Sequence, residues 1–146
     1  MASPVLADGN KFSVTGFTID NNQLMSYKKL YEVVTTTDTI TAAESGKTFF
    51  IDNDGTALIT LTLPTAAAGL NYSFVISDAS LGSFKISPAS TDTLVGCVNG
   101  TSDSSFTAGD SLDAQSTPTT GDTVSMVGVS TIWYCDDMIG TWVDGN

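Results

Sequence analysis

Residues 39–76, TITAAESGKTFFIDNDGTALITLTLPTAAAGLNYSFVI, read as four short strands in a row, each parted from the next by turn residues. Ile59, Leu61 and Leu63 alternate with Thr60 and Thr62, and Tyr72, Phe74 and Ile76 repeat the alternation. A period of two marks a strand with one buried face. Leu63-Pro64 ends one strand and Ala68-Gly69-Leu70 opens the next. No side chain here points to chemistry, so function is expected from surface and assembly.

Toward the N-terminus, Pro4 and Asp8-Gly9-Asn10 suggest an extended arm ending in a turn. Phe12 and Val14 share one parity, Phe17 and Ile19 the other, so a bulge is expected at Gly16. After a turn at Asn21-Asn22, a strand is expected from Leu24 to Thr36. Tyr27, Lys29, Tyr31 and Val33 would line one side, and Lys28, Leu30, Glu32 and Val34 the other. That pattern suits a strand held between two surfaces, or an edge strand guarded by lysines. Residues 1–36 are thus expected to form an arm and linking strand, and 37–146 the body.

Within the body, Asn53-Asp54-Gly55 is a hairpin signal, and Ser80-Leu81-Gly82 is a turn before a short strand carrying Phe84 and Ile86. Residues 99–121 are the most polar part and read as a long connection with at most two short strands. Ala108-Gly109-Asp110-Ser111-Leu112 and Thr120-Gly121-Asp122-Thr123-Val124 echo each other, each a turn feeding a strand. Further strands are expected at Val124–Val129, Ile132–Asp136 and Thr141–Val143. No segment has a helical period. The expected fold is all-β, a single-domain antiparallel barrel or a jelly-roll/sandwich, with an extended N-terminal arm.

The totals agree. With 146 residues, one domain can bury about 68–70% of its unfolded surface. Only 14% of residues are charged, and Thr is abundant, which favours strands over a helical bundle. Net charge is −11 but uneven: residues 1–30 carry three lysines against two aspartates, and the remainder carries nearly all the acid. An acidic body repels nucleic acid and anionic membranes. The more neutral N-terminal segment is a candidate docking element, or two of its lysines fall there by chance. Cys97 and Cys135 allow at most one disulfide, which leaves the redox compartment undecided. MASPVLADGNKF has neither the basic start nor the apolar run of a secretory signal, and no apolar run is long enough for a spanning helix.

Several patterns touch on chemistry and fall short of it. Gly46-Lys47-Thr48 resembles the end of a phosphate loop, but position 41 is threonine and a strand, not a helix, follows. Asp52-Asn53-Asp54-Gly55 is dense in oxygen ligands yet lacks the downstream bidentate glutamate of a calcium loop. With no histidine, a Ser or Cys nucleophile lacks its usual base, and no glutamate pair suggests glycoside cleavage. No enzyme, cofactor or metal is expected. Trp133, Tyr134 and Trp142 could make a sugar-binding platform, although aromatics in terminal strands more often fill a core or an interface.

The order of these motifs carries a resemblance. Ser45-Gly46-Lys47-Thr48-Phe49-Phe50 precedes Leu63-Pro64, Ala67-Ala68-Gly69-Leu70 and the strand Tyr72–Ile76. Then come Gly121-Asp122-Thr123-Val124, Trp133-Tyr134 and Gly140-Thr141-Trp142. Across roughly residues 30–143 this resembles the head decoration, or cement, proteins of tailed bacteriophages, most closely those of marine and cyanobacterial phages. The ends of phage tail fibres are similar in layout. The resemblance implies a non-enzymatic barrel or jelly-roll protomer on the outer capsid surface of the virion. It also implies a homotrimer, with the major capsid protein as partner. On that reading, Phe12, Phe17, Tyr27 and Tyr31 are expected as apolar anchors, and Lys28 and Lys29 as partners of capsid acids. The alternative is a tail-fibre or head-fibre adhesin that binds host-surface glycan through Trp133, Tyr134 and Trp142.

Overall fold

A computed structural model describes residues 29–53, 57–78, 83–97, 106–114 and 118–145. The strands are β1 (Tyr31–Val34), β2 (Asp38–Thr39), β3 (Thr48–Ile51), β4 (Ile59–Thr62), β5 (Asn71–Ile76) and β6 (Phe84–Ser87). They are followed by β7 (Thr93–Val95), β8 (Leu112–Ala114), β9 (Thr123–Val129), β10 (Ile132–Ile139) and β11 (Trp142–Asp144). A single 3-10 turn, Ala42–Glu44, is the one helical element among the described residues. The bulge expected at Gly16 and the turns expected at Asn21-Asn22 and Ser80-Leu81-Gly82 lie outside those residues.

The fold is an all-β sandwich. One sheet has six strands in the order β1-β3-β5-β9-β10-β7, and the other has five in the order β11-β8-β6-β4-β2. Up to β9, each successive strand crosses to the opposite sheet. The chain therefore winds as a flattened coil, and strands from successive turns lie parallel: β1 beside β3 beside β5, and β2 beside β4 beside β6. Only the later strands reverse, with β9 antiparallel to β5 and to β10, and β8 antiparallel to β6 and to β11.

Two expectations are corrected here. The sandwich is mixed rather than antiparallel. Asn53-Asp54-Gly55 also does not join a hairpin, because β3 and β4 belong to opposite sheets. The physical reason is burial. Phe49 and Ile51 on β3, and Ile59 and Leu61 on β4, all need an apolar environment, and facing one another across the interior supplies it to both strands.

Alternation of burial along β4, β5, β6 and β9 follows the period read from the sequence. The interior is aromatic. Phe49 stacks on Phe74, Tyr72 packs on Trp133, and Phe84 meets Trp142 edge-on. Each such side chain taken from water contributes about 1.5–3 kcal/mol or more. The Leu63–Leu70 connection lies against β9, where Gly128 donates to the Leu70 carbonyl and accepts from Gly69. A Cβ on Gly128 would sit 2.7 Å from the Ala67 oxygen, so the close approach requires glycine.

Three aspartates close three like turns ahead of β7, β8 and β9. The amides of Asp92, Asp110 and Asp122 donate to the carbonyls of Ala89, Thr107 and Thr119. In the last two, the carboxylate also accepts from the amide of Thr107 or Thr119. The echo between residues 108–112 and 120–124 is thus a shared turn geometry, with Gly109 and Gly121 both at positive φ. Asp92 is fully buried and instead accepts from the Ala66 amide at 2.6 Å, tying the first of these turns to the connection before β5. Cys97 and Cys135 form a disulfide that joins the end of edge strand β7 to β10.

Candidate interaction surface

Strand alternation decides what the six-stranded sheet shows to solvent. Because Phe49, Ile51, Phe74 and Ile76 point inward, their neighbours Phe50 and Val75 point outward. Registers then align an outer row of Val33, Phe50, Val75, Thr123 and Ile139 across five strands. A parallel row carries hydroxyl side chains, Tyr31, Thr48, Ser73 and Ser125, and ends at Asp137. Ser73 and Ser125 hydrogen-bond through their hydroxyls at 2.9 Å. Nearer β7, Tyr134 lies between Val127 and Val95.

Several of these apolar groups are open to water: Tyr31 is 68% exposed, Ile139 59% and Val33 52%. Tyr31 stands edge-on to Phe50 with ring centroids 6.0 Å apart. Together with Lys29, Thr48 and Val75 they line a shallow depression of about 400 Å³. On its wall the Thr48 hydroxyl is buried and has no hydrogen-bond partner among the described residues. Such a group is costly unless an occupant completes it.

The outer face of the five-stranded sheet is different. Thr60, Thr62 and Ser87 lie on it, with Lys85 within 3.5 Å of Asp113. Alternating threonine and serine make that face hydrophilic, whereas the six-stranded face carries an apolar row beside its hydroxyl row.

Of the residues named as contacts from the sequence, Lys29 and Tyr31 lie together at this depression. Phe12, Phe17, Tyr27 and Lys28 are outside the described residues. β1 is the edge strand of its sheet among the described residues, one of the two arrangements the sequence allowed. Missed by the sequence reading were Phe50 and Val75. Their parity, opposite to Phe49 and Phe74, was the available signal.

The aromatic platform is corrected. Trp133 and Trp142 are buried, Trp133 against Tyr72 and Trp142 against Phe84, so neither offers a ring face to a sugar. Only Tyr134 of the three is exposed. Its neighbours Trp133 and Cys135 point inward, as alternation requires.

Polar chemistry on this end of the molecule is structural. Lys47 bridges Glu32 and Glu44, each at 2.8 Å. The Glu44 carboxylate also accepts from the amide and hydroxyl of Thr41. These contacts, Lys47 first, hold the Glu44 carboxyl down at about 2, and Glu32 and Glu44 raise Lys47 to about 12. Burial, then Glu44, pushes the Tyr72 phenol up. Gly46-Lys47-Thr48 is therefore a turn lysine leading into a strand, with Gly46 at positive φ. No group of three metal-binding side chains occurs among the described residues, and no described helix is long and apolar enough to cross a membrane.

No protein-family model matches the chain, and no curated protein matches it.

Proposed function

We propose that this chain is a non-enzymatic structural protein of a tailed-phage virion. It decorates and cements the outer capsid surface as a homo-oligomer. One observation carries the reading: at β1, the edge strand of its sheet among the described residues, Leu30, Tyr31 and Val33 are all exposed beside Lys29. An aromatic and apolar edge beside a lysine is the composition of a protein-binding surface rather than of a solvated strand. The major capsid protein is the partner in this reading, with Lys29 facing its carboxylates. Repetition over a lattice makes modest contacts strong in sum. A chain with a net charge of −11 disfavours nucleic acid and anionic membrane as partners. The glycan-binding alternative loses its platform with the burial of Trp133 and Trp142.

The test is sedimentation of the purified protein with undecorated heads of the phage that encodes it. Saturable binding at a fixed ratio per capsomer is expected. Protein that stays in the supernatant at every concentration would overturn the proposal.

A further inference from the structure

The geometry points to the outer face of the six-stranded sheet as the surface on which copies of this chain associate with one another. The inference rests on the homo-oligomer of the proposed function and assigns it this face, leaving the outer edge of β1, with Leu30 and Lys29, to the capsid.

Three observations argue for a second copy as the occupant. The first is charge. A chain of net charge −11 repels its own copies wherever carboxylates meet, and the described rows of this face hold one, Asp137, at the end of the hydroxyl row. Asp136 is exposed at the bulge beside it, and the outer rows from β1 to β9 hold no carboxylate, so a basic partner drawn by charge would have only that end of β10 to dock on. The second is the contrast between faces. The five-stranded sheet is coated with threonine and serine and carries Lys85 and Asp113, so it is finished for water. The six-stranded sheet leaves Tyr134 and Ile139 exposed on β10, four strands from β1.

The third is area. Six strands at about 4.8 Å spacing and about 20 Å long give a footprint of roughly 500 Å² per copy. Two copies then bury roughly 1,000 Å², the lower limit for a specific interface. Two identical sheets also share one twist, the condition under which sheets pack face to face about 10 Å apart. In such a contact the Thr48 hydroxyl would find across the interface the partner it lacks among the described residues.

The experiment is solution mass by light scattering and sedimentation equilibrium on the full chain. Wild type is compared with a Tyr134→Glu/Ile139→Glu double variant and with a Thr60→Glu/Ser87→Glu control on the other face. Both exposed positions on the first face tolerate a charge without disturbing the core, and near-ultraviolet circular dichroism checks this. Wild type and control are expected at a multiple of 15.2 kDa. The double variant should associate at least about tenfold more weakly and run as a monomer at low concentration, because the contact would bury two unpaired carboxylates. A monomeric wild type, or an oligomer dissociated by the control and not by the double variant, would overturn the inference. Failure is separable from that of the capsid reading: a monomer that still binds heads overturns only this surface. An oligomer of the expected kind that ignores heads upholds the surface and overturns the capsid role.

Discussion

Phe74 stacks on Phe49 with ring centroids 5.6 Å apart and planes 18° from parallel, although the two are 25 residues apart in the chain. The same offset relates Thr48 to Ser73 and Ile51 to Ile76 in one sheet, and Ile59 to Phe84 and Thr62 to Ser87 in the other. One turn of the coil is thus laid on the next in register, and the rings form a rung of the interior. Phe74→Ala would remove a fully buried ring and leave a cavity that strands on both sides cannot close. Urea denaturation should show a loss of about 3–5 kcal/mol.

This repeat explains what was legible in the chain and what was not. Period two in Ile59–Leu63 and Tyr72–Ile76 reveals strands, and all three C-terminal strands appear within a few residues of their expected bounds. Sheet membership is hidden, because an inward residue looks the same whichever sheet it belongs to. Asn53-Asp54-Gly55 signals a turn, but a turn can return a strand to its neighbour or carry it across the sandwich. The clue lay in comparing Phe49-Phe50-Ile51 with Phe74-Val75-Ile76 at fixed offset, which also puts Phe50 and Val75 side by side on the outer face. Burial of Trp133 and Trp142 was similarly open to either reading, since aromatics serve cores and platforms alike.

Gly128→Ala should destabilise the fold by about 1–3 kcal/mol, the range for overpacking. The new Cβ meets a backbone oxygen of Ala67 at 2.7 Å and the Trp133 ring at 3.1 Å, and the backbone contact can yield only by moving the Leu63–Leu70 connection. A thermal melt beside wild type checks it.

Asp92→Ala leaves the buried Ala66 amide without its acceptor, a loss of about 1–3 kcal/mol. Asp92→Asn retains a carbonyl oxygen for that amide and should lose less. Chemical denaturation of both variants measures the difference.

Reducing the Cys97–Cys135 bond frees a loop with a sequence separation of 38 residues and unpins β7 from β10. Stability should fall by about 2–4 kcal/mol, as should that of Cys97→Ser/Cys135→Ser. Melts with and without reductant test this, and the double variant should be insensitive to reductant.

Acid should weaken the turn at Glu44. Its carboxyl is lowered from 4.5 to about 2 in the folded chain, so its contribution is fully present above about 4.5 and is lost as pH falls toward about 2. The melting temperature of wild type should therefore exceed that of Glu44→Gln at pH 6, with the gap closing by pH 2. Salt should narrow the gap as well, because the Glu44–Lys47 pair is open to solvent.

Hydrogen–deuterium exchange of the protein free and bound to undecorated heads tests the central claim most directly. Slowed exchange is expected in β1, around Tyr31–Val34, and at its junction with Lys29. The Thr60 and Lys85 face should exchange as it does in the free protein. Protection confined to that threonine-rich face, with β1 unchanged, would contradict it.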